Sequence, residues 1–382
     1  MNPYQVIQFN IPTTIRFGCG AIQELPTYLQ QHQLRRPLLV TDPVIAQLPF
    51  FKAIVSSLVT QGIAVEVFAD IHKNPVKSDV YSGTAAWDET DRDALVGIGG
   101  GAALDVARAI ALRVNHRDDL FKYDDLIGGD VYVTGDVPHF ITVPTTAGTG
   151  SEVGRSAIIA DDETHQKRIL FSPKLMAKVV FADPLLTMDL PPHVTAATGM
   201  DALTHNMEAF LAKNLNPICD GIALEGMRLI AQSLEKAVNK PDEAARSNML
   251  IASMMGAIAF QKGLGVVHSL AHPLSSLLDT HHGLANAVNL PYGMAFNIAG
   301  NETKFRRIAQ AMELDDETGQ GVVRYLVELN ERVDIPSRLT DIGVLPTDID
   351  TLSDMAVADF AHPNNPKPVS RDDFKTLYLE AL

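Results

Sequence analysis

Cysteine and positive charge are both scarce in this chain of 382 residues. Cys19 and Cys219 are its only cysteines, which is too few for a disulfide framework or a cysteine-rich zinc site. Lys and Arg number 31 against 46 Asp and Glu, so the formal net charge is −15. This balance argues against nucleic acid or an anionic membrane as the main partner.

Long apolar runs are also missing. No run approaches the ~20 residues that a membrane-spanning helix needs. The first ten residues lack the basic start and apolar core of a signal peptide. We therefore expect a cytoplasmic protein. The hydrophobic content of 46% is ordinary for a globular chain with sizeable cores, and the length predicts two or three domains.

Histidine is concentrated in one stretch. Four of the twelve histidines lie between residues 263 and 283: His268, His272, His281 and His282. The first two are four residues apart and share one face of a helix, although Pro273 should bend or break the helix there. An apolar segment, residues 249–260, leads in, so we expect buried imidazoles, which usually bind a metal ion when several converge.

A second pair, Asp201 and His205, has the same spacing further upstream. One carboxylate with several imidazoles is a suitable ligand set for Fe(II) or Zn(II). The alternative for a single pair is a surface or core position without function, but two pairs in apolar helices favour a metal site. Ser269 follows His268 where the zincin motif has Glu, so that motif is excluded.

Three glycines, Gly99, Gly100 and Gly101, stand between an apolar strand and a predicted helix. They let the backbone approach a pyrophosphate, and the helix N-terminus offers free N–H groups; the alternative is a plain tight turn. The strand over residues 36–42 ends in Asp42, which is placed either for ribose hydroxyls or as an N-cap. Residues 140–153 contain a loop rich in Gly, Thr and Ser. This loop either contacts a phosphate or the adenine of a nucleotide, or it is a plain surface loop.

These motifs together resemble the iron-containing (group III) alcohol dehydrogenases, a family that includes lactaldehyde reductase and 1,3-propanediol dehydrogenase. The resemblance rests on Gly-Met-Asp-Ala-Leu-Thr-His at 199–205, His-Ser-Leu-Ala-His-Pro-Leu at 268–274 and His-His-Gly at 281–283, and it covers essentially the whole chain. It implies metal ligands at Asp201, His205, His268 and His282, with His272 beside the nicotinamide. His281 stands where members often have Pro. We favour His282 over His281 as the ligand because it directly precedes Gly283.

The resemblance also implies a set of NAD contacts. An acidic residue at position 42 favours NAD over NADP, because a 2′-phosphate would face a like charge. Ala102 and Arg108 stand where the family usually has Ser and Lys, so backbone amides must hold more of the phosphate. The implied cofactor-binding residues are Asp42, Asn74, Gly99, Gly100, Gly101, Asp105, Thr145, Thr146, Thr149, Lys167 and Leu186.

The predicted fold is an α/β Rossmann-like dinucleotide-binding domain over residues 1–184, followed by an all-helical metal-binding domain over residues 185–382. This architecture is like that of dehydroquinate synthase. Residues 4–17, including Val6 and Ile11, are predicted as one or two strands. The proline-rich segment 361–369 is predicted to be extended, and its His362 is either a ligand or, preferably, a surface residue.

The predicted reaction is reversible hydride transfer between a small alcohol or aldehyde and NAD(H), with Fe(II) or alternatively Zn(II), and with His272 relaying the proton. Lys262 or Arg155 is a candidate partner for a substrate carboxylate; the alternative is that both are solvated or hold helix ends. A dehydroquinate-synthase-like lyase and a non-enzymatic metal or dinucleotide sensor are the other functions considered. The resemblance implies a homodimer or larger homo-oligomer.

Overall fold

The computed structural model describes residues 7–10, 13–164 and 166–382. The chain forms two compact units. The first runs to Thr146 and resumes over Ser151–Met188, and the second comprises Ala147–Gly150 and Asp189–Leu382. The division after Met188 lies close to the predicted domain boundary, but the assignment of Ala147–Gly150 to the second unit has no signal in the sequence. Val6 and Ile11 lie outside the described residues.

Within the described residues, the first unit is built on a seven-stranded sheet with the strand order β1-β2-β9-β6-β5-β3-β4, and β7 and β8 form a separate antiparallel hairpin. The strands are β1 (Ile7–Asn10), β2 (Thr14–Phe17), β3 (Pro37–Val40), β4 (Glu66–Phe68), β5 (Ala94–Gly99), β6 (His139–Pro144), β7 (Ser156–Ala160), β8 (Lys167–Phe171) and β9 (Val179–Ala182). β1 pairs antiparallel with β2, and the other neighbours in the sheet are parallel. β3, β5 and β9 are buried at every residue, which explains their continuous apolar sequences.

The helices of this unit cover both faces of the sheet. They are α1 (Leu25–Gln31), α2 (Pro49–Thr60), α3 (Lys77–Thr90) and α4 (Gly101–Asn115). Leu38 belongs to the same apolar cluster as Ile110 of α4, whereas the next strand residue, Leu39, belongs to the cluster that contains Leu58 of α2. Successive side chains of a strand point to opposite faces, so the two clusters are the two layers of core that flank the sheet.

The second unit contains helices and no strands among its described residues. Its helices are α5 (Pro192–Leu211), α6 (Pro217–Asn239), α7 (Glu243–Ala259), α8 (Val266–Leu278), α9 (His282–Asn297), α10 (Glu302–Ala311), α11 (Gly319–Arg332), α12 (Ile349–Val357) and α13 (Arg371–Ala381). α5 is buried at every residue from Thr195 to Leu211, so it is the central helix of the unit. Among the described helices, none is long and apolar enough on its own to cross a membrane. Only the pair formed by α7 with its final 3-10 turn and α8, bent by 106°, meets the length and composition limits together.

Three local features differ from the sequence-based expectations. Pro273 lies inside α8 and does not end it; the apolar face packs into the core on both sides of the proline, which offsets the one lost hydrogen bond. The segment 361–369 is not simply extended, because His362–Asn364 form a 3-10 turn. Helix α13 was not predicted, although Ser370 and Asp373 form a capping box at its start.

Candidate metal centre and dinucleotide site

The glycine turn of the first unit joins β5 directly to α4. Gly101 is the first residue of the helix. The N-cap residue, Gly100, has no side chain that could accept a hydrogen bond from the N–H groups of the first turn. A Cβ at Gly99 would lie 2.6 Å from the Cβ of Ala103, so a larger residue would force the turn to shift. The first N–H groups of α4 can therefore face an anion such as a pyrophosphate.

Asp42 lies beside this turn, two residues after the end of the neighbouring strand β3. Its Oδ1 accepts hydrogen bonds from the backbone N–H groups of Val44 and Ile45, both at 2.9 Å. Its Oδ2 would be 3.8 Å from a Cβ placed on Gly99. One oxygen therefore holds the turn that follows β3, although Val44 and not Asp42 is the N-cap residue there. The other oxygen lies near the glycine turn, so this local role does not exclude a ribose contact.

The threonines after β6 approach the same turn from the other side. The N–H of Thr145 donates to the carbonyl of Gly99 at 3.0 Å, and Oγ1 of Thr146 would be 3.4 Å from a Cβ on Gly100. The carboxyl ends of adjacent parallel strands meet at one edge of a sheet, which is where such folds bind nucleotides. Thr149, by contrast, belongs to the short segment of the second unit.

Two further predicted contacts lie beside the β7–β8 hairpin. Ala160 of β7 pairs with Lys167 of β8, and the N–H of Ala160 donates to the carbonyl of Pro75 at 2.8 Å. Asn74 precedes Pro75 in an exposed bend. The structure thus groups Asn74 with Lys167, whereas Leu186 packs in the apolar core of the first unit at 8% exposure.

Asp105 points into the interior of the first unit. Its Oδ1 accepts from Arg108 Nη1 at 3.1 Å and from Ser151 Oγ at 2.6 Å, and its Oδ2 accepts from the N–H of Ile158 at 3.0 Å. Arg108 is fully buried and also donates to the carbonyl of Ser156 at 2.7 Å. Burial raises the pKa of Asp105 in spite of these partners. These partners form an internal ion pair that connects α4 to the following loop and hairpin. The coenzyme contact implied for Asp105 stays a prediction.

In the second unit, Asp201, His205, His268 and His282 converge. Their candidate ligand atoms all lie within 4.8 Å of one another. Oδ1 of Asp201 is 3.8 Å from Nε2 of His205 and 3.6 Å from Nε2 of His282. Four ligands bound at about 2.1 Å in a tetrahedron would be about 3.4 Å apart. The donor set and its spacing therefore fit a single divalent metal ion.

Three helices build this cluster. Asp201 and His205 lie on one face of α5, His268 lies on α8, and His282 is the first residue of α9. The start of α9 approaches α5 closely, since a Cβ at Gly283 would be 2.4 Å from the carbonyl oxygen of Ala197. Glycine is therefore required after His282 for this imidazole to reach the carboxylate on α5.

The ionisation states of the cluster suit metal binding. Asp201 is 2% exposed. Burial favours its neutral form, but the three neighbouring imidazoles and a hydrogen bond from Asn286 outweigh burial and lower the pKa of Asp201 to about 2. Burial, aided by repulsion from His205 and His272, holds the pKa of His268 well below its usual range. The centre thus presents a carboxylate and a neutral imidazole lone pair, which are the forms that bind metals.

His272 is adjacent to the cluster but has a different partner. Its Nδ1 lies 2.7 Å from Oδ2 of Asp359, and its ring stacks on His282 with centroids 5.3 Å apart. Oδ1 of Asp359 accepts from Ser269 Oγ at 2.6 Å. Burial opposes ionisation of Asp359, but the charge of His272 and these hydrogen bonds lower the pKa of Asp359 to about 2. A carboxylate at Nδ1 keeps the proton on that nitrogen and leaves Nε2 of His272 to exchange a proton.

Three polar side chains of the site were not predicted: Glu208, Asn286 and Asp359. Nδ2 of Asn286 lies 2.7 Å from Oδ1 of Asp201 and 3.1 Å from Nε2 of His282. Helical spacing could have found two of them, because Glu208 is three residues after His205 and Asn286 is four after His282. Asp359 follows α12 in a segment without helical periodicity, so only the tertiary structure places it.

For Lys262, the structure supports the helix-end alternative and not the substrate contact. The residue is 3% exposed, and its Nζ donates to the carbonyl of Phe210 at 2.9 Å and pairs with Asp220. Phe210 lies in the last turn of α5, so the ammonium group stabilises the carboxyl end of this helix. A substrate carboxylate has no access to it.

The other polar candidates have local partners. The guanidinium of Arg155 lies 5.5 Å from the ring centroid of Phe171. His281 is exposed and acts as the N-cap of α9, where its Nδ1 accepts from the N–H of Leu284 at 3.4 Å. Nε2 of His362 lies 3.1 Å from the carbonyl oxygen of Val357. Of the two adjacent histidines, it is therefore His282 that faces Asp201.

Comparison with known families agrees with this geometry. The profile described as "Iron-containing alcohol dehydrogenase" matches residues 12–184, and "Fe-containing alcohol dehydrogenase family, C-terminal" matches residues 195–382. The chain belongs to the iron-containing alcohol dehydrogenase family. The resemblance inferred from the motifs is thus confirmed, together with the fold class and the assignment as an NAD-dependent metal oxidoreductase. The lyase and sensor alternatives receive no support.

Individual relatives cover the whole chain. The 4-hydroxybutyrate dehydrogenase of Cupriavidus necator is 37% identical over 97% of this chain and 98% of its own length. A crystal structure of 1,3-propanediol oxidoreductase has a TM-score of 0.93 at 32% identity, covering 99% of this chain and 100% of that one. The sulfoacetaldehyde reductase of Bifidobacterium kashiwanohense, solved in complex with NAD+, has a TM-score of 0.89 at 27% identity, covering 99% of this chain and 98% of that one.

The ligand assignment predicts different metal contents for three variants. Asp201→Asn keeps the size of the side chain but removes the charge of the only carboxylate in the set, so metal affinity should fall by more than the ~10–100-fold typical of changes around a ligand. His272→Asn should keep the metal and lose turnover. His281→Ala, the matched control beside His282, should keep both. Plasma emission on purified protein measures the metal, and a rate assay measures turnover.

NADH fluorescence should be unchanged in the Asp201 variant, since the glycine turn belongs to the other unit. Full metal retention in Asp201→Asn combined with metal loss in His272→Asn would contradict the assignment. It would mean that the wrong histidine of α8 has been identified as the ligand.

Proposed function

We propose that this protein catalyses reversible hydride transfer between a small alcohol or aldehyde and NAD(H), using Fe(II), or alternatively Zn(II), held by Asp201, His205, His268 and His282. The observation that carries the proposal is the buried convergence of these four side chains in a chain whose two halves match the iron-containing alcohol dehydrogenase family. N/O donor sets bind both metals, and the family description favours iron.

A divalent ion bound there would supply Lewis acidity to the alcohol oxygen, which favours loss of the hydroxyl proton near neutral pH. Two aromatic rings lie beside the cluster: Phe260 is 5.1 Å from the ligand His205 and Phe360 is 5.3 Å from His272, measured between ring centroids. Nε2 of His272 is the group we assign to proton transfer. Asp359 orients this imidazole and stabilises its positive charge while the proton is held there.

The coenzyme assignment rests on the edge of the sheet in the first unit. Asp42 offers an oxygen beside the glycine turn, and the uncapped start of α4 suits a pyrophosphate. A carboxylate accepts hydrogen bonds from ribose hydroxyls but repels a 2′-phosphate. The complex of the sulfoacetaldehyde reductase with NAD+ supports the same choice, so we assign NAD and not NADP.

The substrate class follows from the relatives and from the site. Relatives are named for 4-hydroxybutyrate and 1,3-propanediol, which are both short primary alcohols with a second oxygen function at the far end. We therefore assign linear substrates of three or four carbons. The ammonium of Lys262 is paired with Asp220 and donates to the carbonyl of Phe210, so we do not assign it to a charged far end of the substrate.

The coenzyme assignment predicts that Asp42→Gly narrows the preference for NADH over NADPH. Two like charges about 4 Å apart in water repel by about 1 kcal/mol, which corresponds to roughly a fivefold change in relative affinity. The ratio of kcat/KM for the two coenzymes, measured at one aldehyde concentration, tests this. A wild-type enzyme that already prefers NADPH would show that Asp42 has been placed wrongly.

The substrate assignment predicts the order of rates in an aldehyde panel. Protein loaded anaerobically with Fe(II), and separately with Zn(II), should oxidise NADH faster with 3-hydroxypropanal or succinic semialdehyde than with benzaldehyde. Butyraldehyde, which lacks an oxygen at the far end, is the matched control, and the absorbance of NADH measures the rate. Equal rates with benzaldehyde would contradict the short linear class, and no rate with any aldehyde would contradict the proposed function.

A further inference from the structure

Glu208 is a buried carboxylate on the same helix as two of the ligands. It follows Asp201 by seven residues and His205 by three, so all three side chains share one face of α5. Its side chain is only 2% exposed. A carboxylate in such a place must have hydrogen-bond partners, because an unpaired buried charge is strongly destabilising.

Among the described residues, the hydrogen-bond partners of the Glu208 carboxylate lie at the start of α8. Oε2 is 2.7 Å from Nδ1 of His268 and accepts from the N–H of Gly265 at 3.0 Å, while Oε1 accepts from the N–H of Val267 at 2.7 Å. The N–H of His268 also approaches Oε2, at 3.4 Å. Backbone N–H groups can only donate, so the carboxylate acts as an acceptor throughout. A carboxylate oxygen facing Nδ1 keeps the proton on that nitrogen.

The tautomer of His268 follows from this contact. With Nδ1 protonated, the lone pair is on Nε2, and Nε2 is the nitrogen that lies 3.3 Å from Nδ2 of Asn286 and faces the other ligands. The opposite tautomer would place a hydrogen where a metal ion must bind. Glu208 therefore decides whether His268 can act as a ligand.

Packing gives a second reason: a Cβ at Gly265 would be 2.9 Å from Oε1 of Glu208. The same carboxylate thus connects α5 to α8 at the level of the ligands.

We propose that Glu208 is a positioning residue of the metal centre, which holds His268 with Nδ1 protonated and Nε2 toward the ion. The inference rests on the proposed function, in which these side chains bind a metal. Helix α8 has a parallel pair one turn later, His272 with Asp359, but His272 is not in the ligand set. The two carboxylates therefore have separable effects on metal binding.

The test compares metal affinity in three variants of the full chain. Glu208→Gln keeps the shape of the side chain but removes its charge and presents an amide to Nδ1, so the dissociation constant for Zn(II), measured anaerobically by competition with a chromophoric chelator, should rise by about 10–100-fold. Asp359→Asn should bind Zn(II) as the wild type does and lose turnover.

The matched control removes a different cap from the same helix end. Oδ1 of Asn365 accepts from the N–H of Val266 at 3.2 Å, so Asn365→Ala loosens the start of α8 without touching His268. Its Zn(II) affinity should stay within about twofold of the wild type. If Glu208→Gln binds Zn(II) with wild-type affinity, or if Asn365→Ala loses as much affinity as Glu208→Gln, then Glu208 only caps a helix and the inference is overturned.

A spectroscopic measurement covers the case in which Glu208→Gln does not fold. In metal-free wild-type protein labelled with 15N-histidine, the imidazole of His268, assigned by its loss in His268→Gln, should have Nδ1 protonated. Protonation at Nε2 would overturn the inference. Wild-type protein that binds neither Zn(II) nor Fe(II) overturns both proposals. Protein that binds either ion but reduces no aldehyde overturns only the proposed reaction.

Discussion

The ionised carboxylate of Asp201, buried among three imidazoles, is the constraint on which the second unit depends. A buried charge is tolerated only when opposite charges or hydrogen bonds compensate it, and here the compensating groups come from three helices. Helix α5 is accordingly buried on all sides from Thr195 to Leu211, and α9 begins against it at Gly283. The geometry of the four ligands therefore depends directly on the packing of these three helices.

Helical spacing explains how much of this centre could be predicted. Residues four apart on a helix share a face whatever the tertiary structure, so Asp201 and His205 are recognisable as a pair from the sequence, and His282 is recognisable from the glycine that follows it. Contacts between distant segments give no such signal. Glu208 and His268 are 60 residues apart, and His272 and Asp359 are 87 apart. The sequence left the role of Lys262 open for the same reason, because its partner Asp220 lies 42 residues away.

The first unit shows the same difference between local features, which the sequence reveals, and contacts between distant segments, which it does not. The order strand, three glycines and helix is local, and parallel strands bring Asp42, the glycine turn and Thr146 to one edge of the sheet. The role of Asp105 could not be predicted, because Ser151 and Ile158, which bind its carboxylate, are 46 and 53 residues away. Local pattern therefore identifies the groups that face a coenzyme or a metal, whereas the groups that hold them in place emerge only from the packed structure.

The central claim is that the buried cluster of one carboxylate and three imidazoles holds one catalytic metal ion. An anaerobic titration of the chelator-treated protein with Fe(II), followed by NADH oxidation with a short aldehyde, tests it most directly. The account predicts no turnover without metal, and a linear rise that stops at one ion per chain and is reversed by a chelator. Full turnover in protein that contains no metal by plasma emission would contradict it.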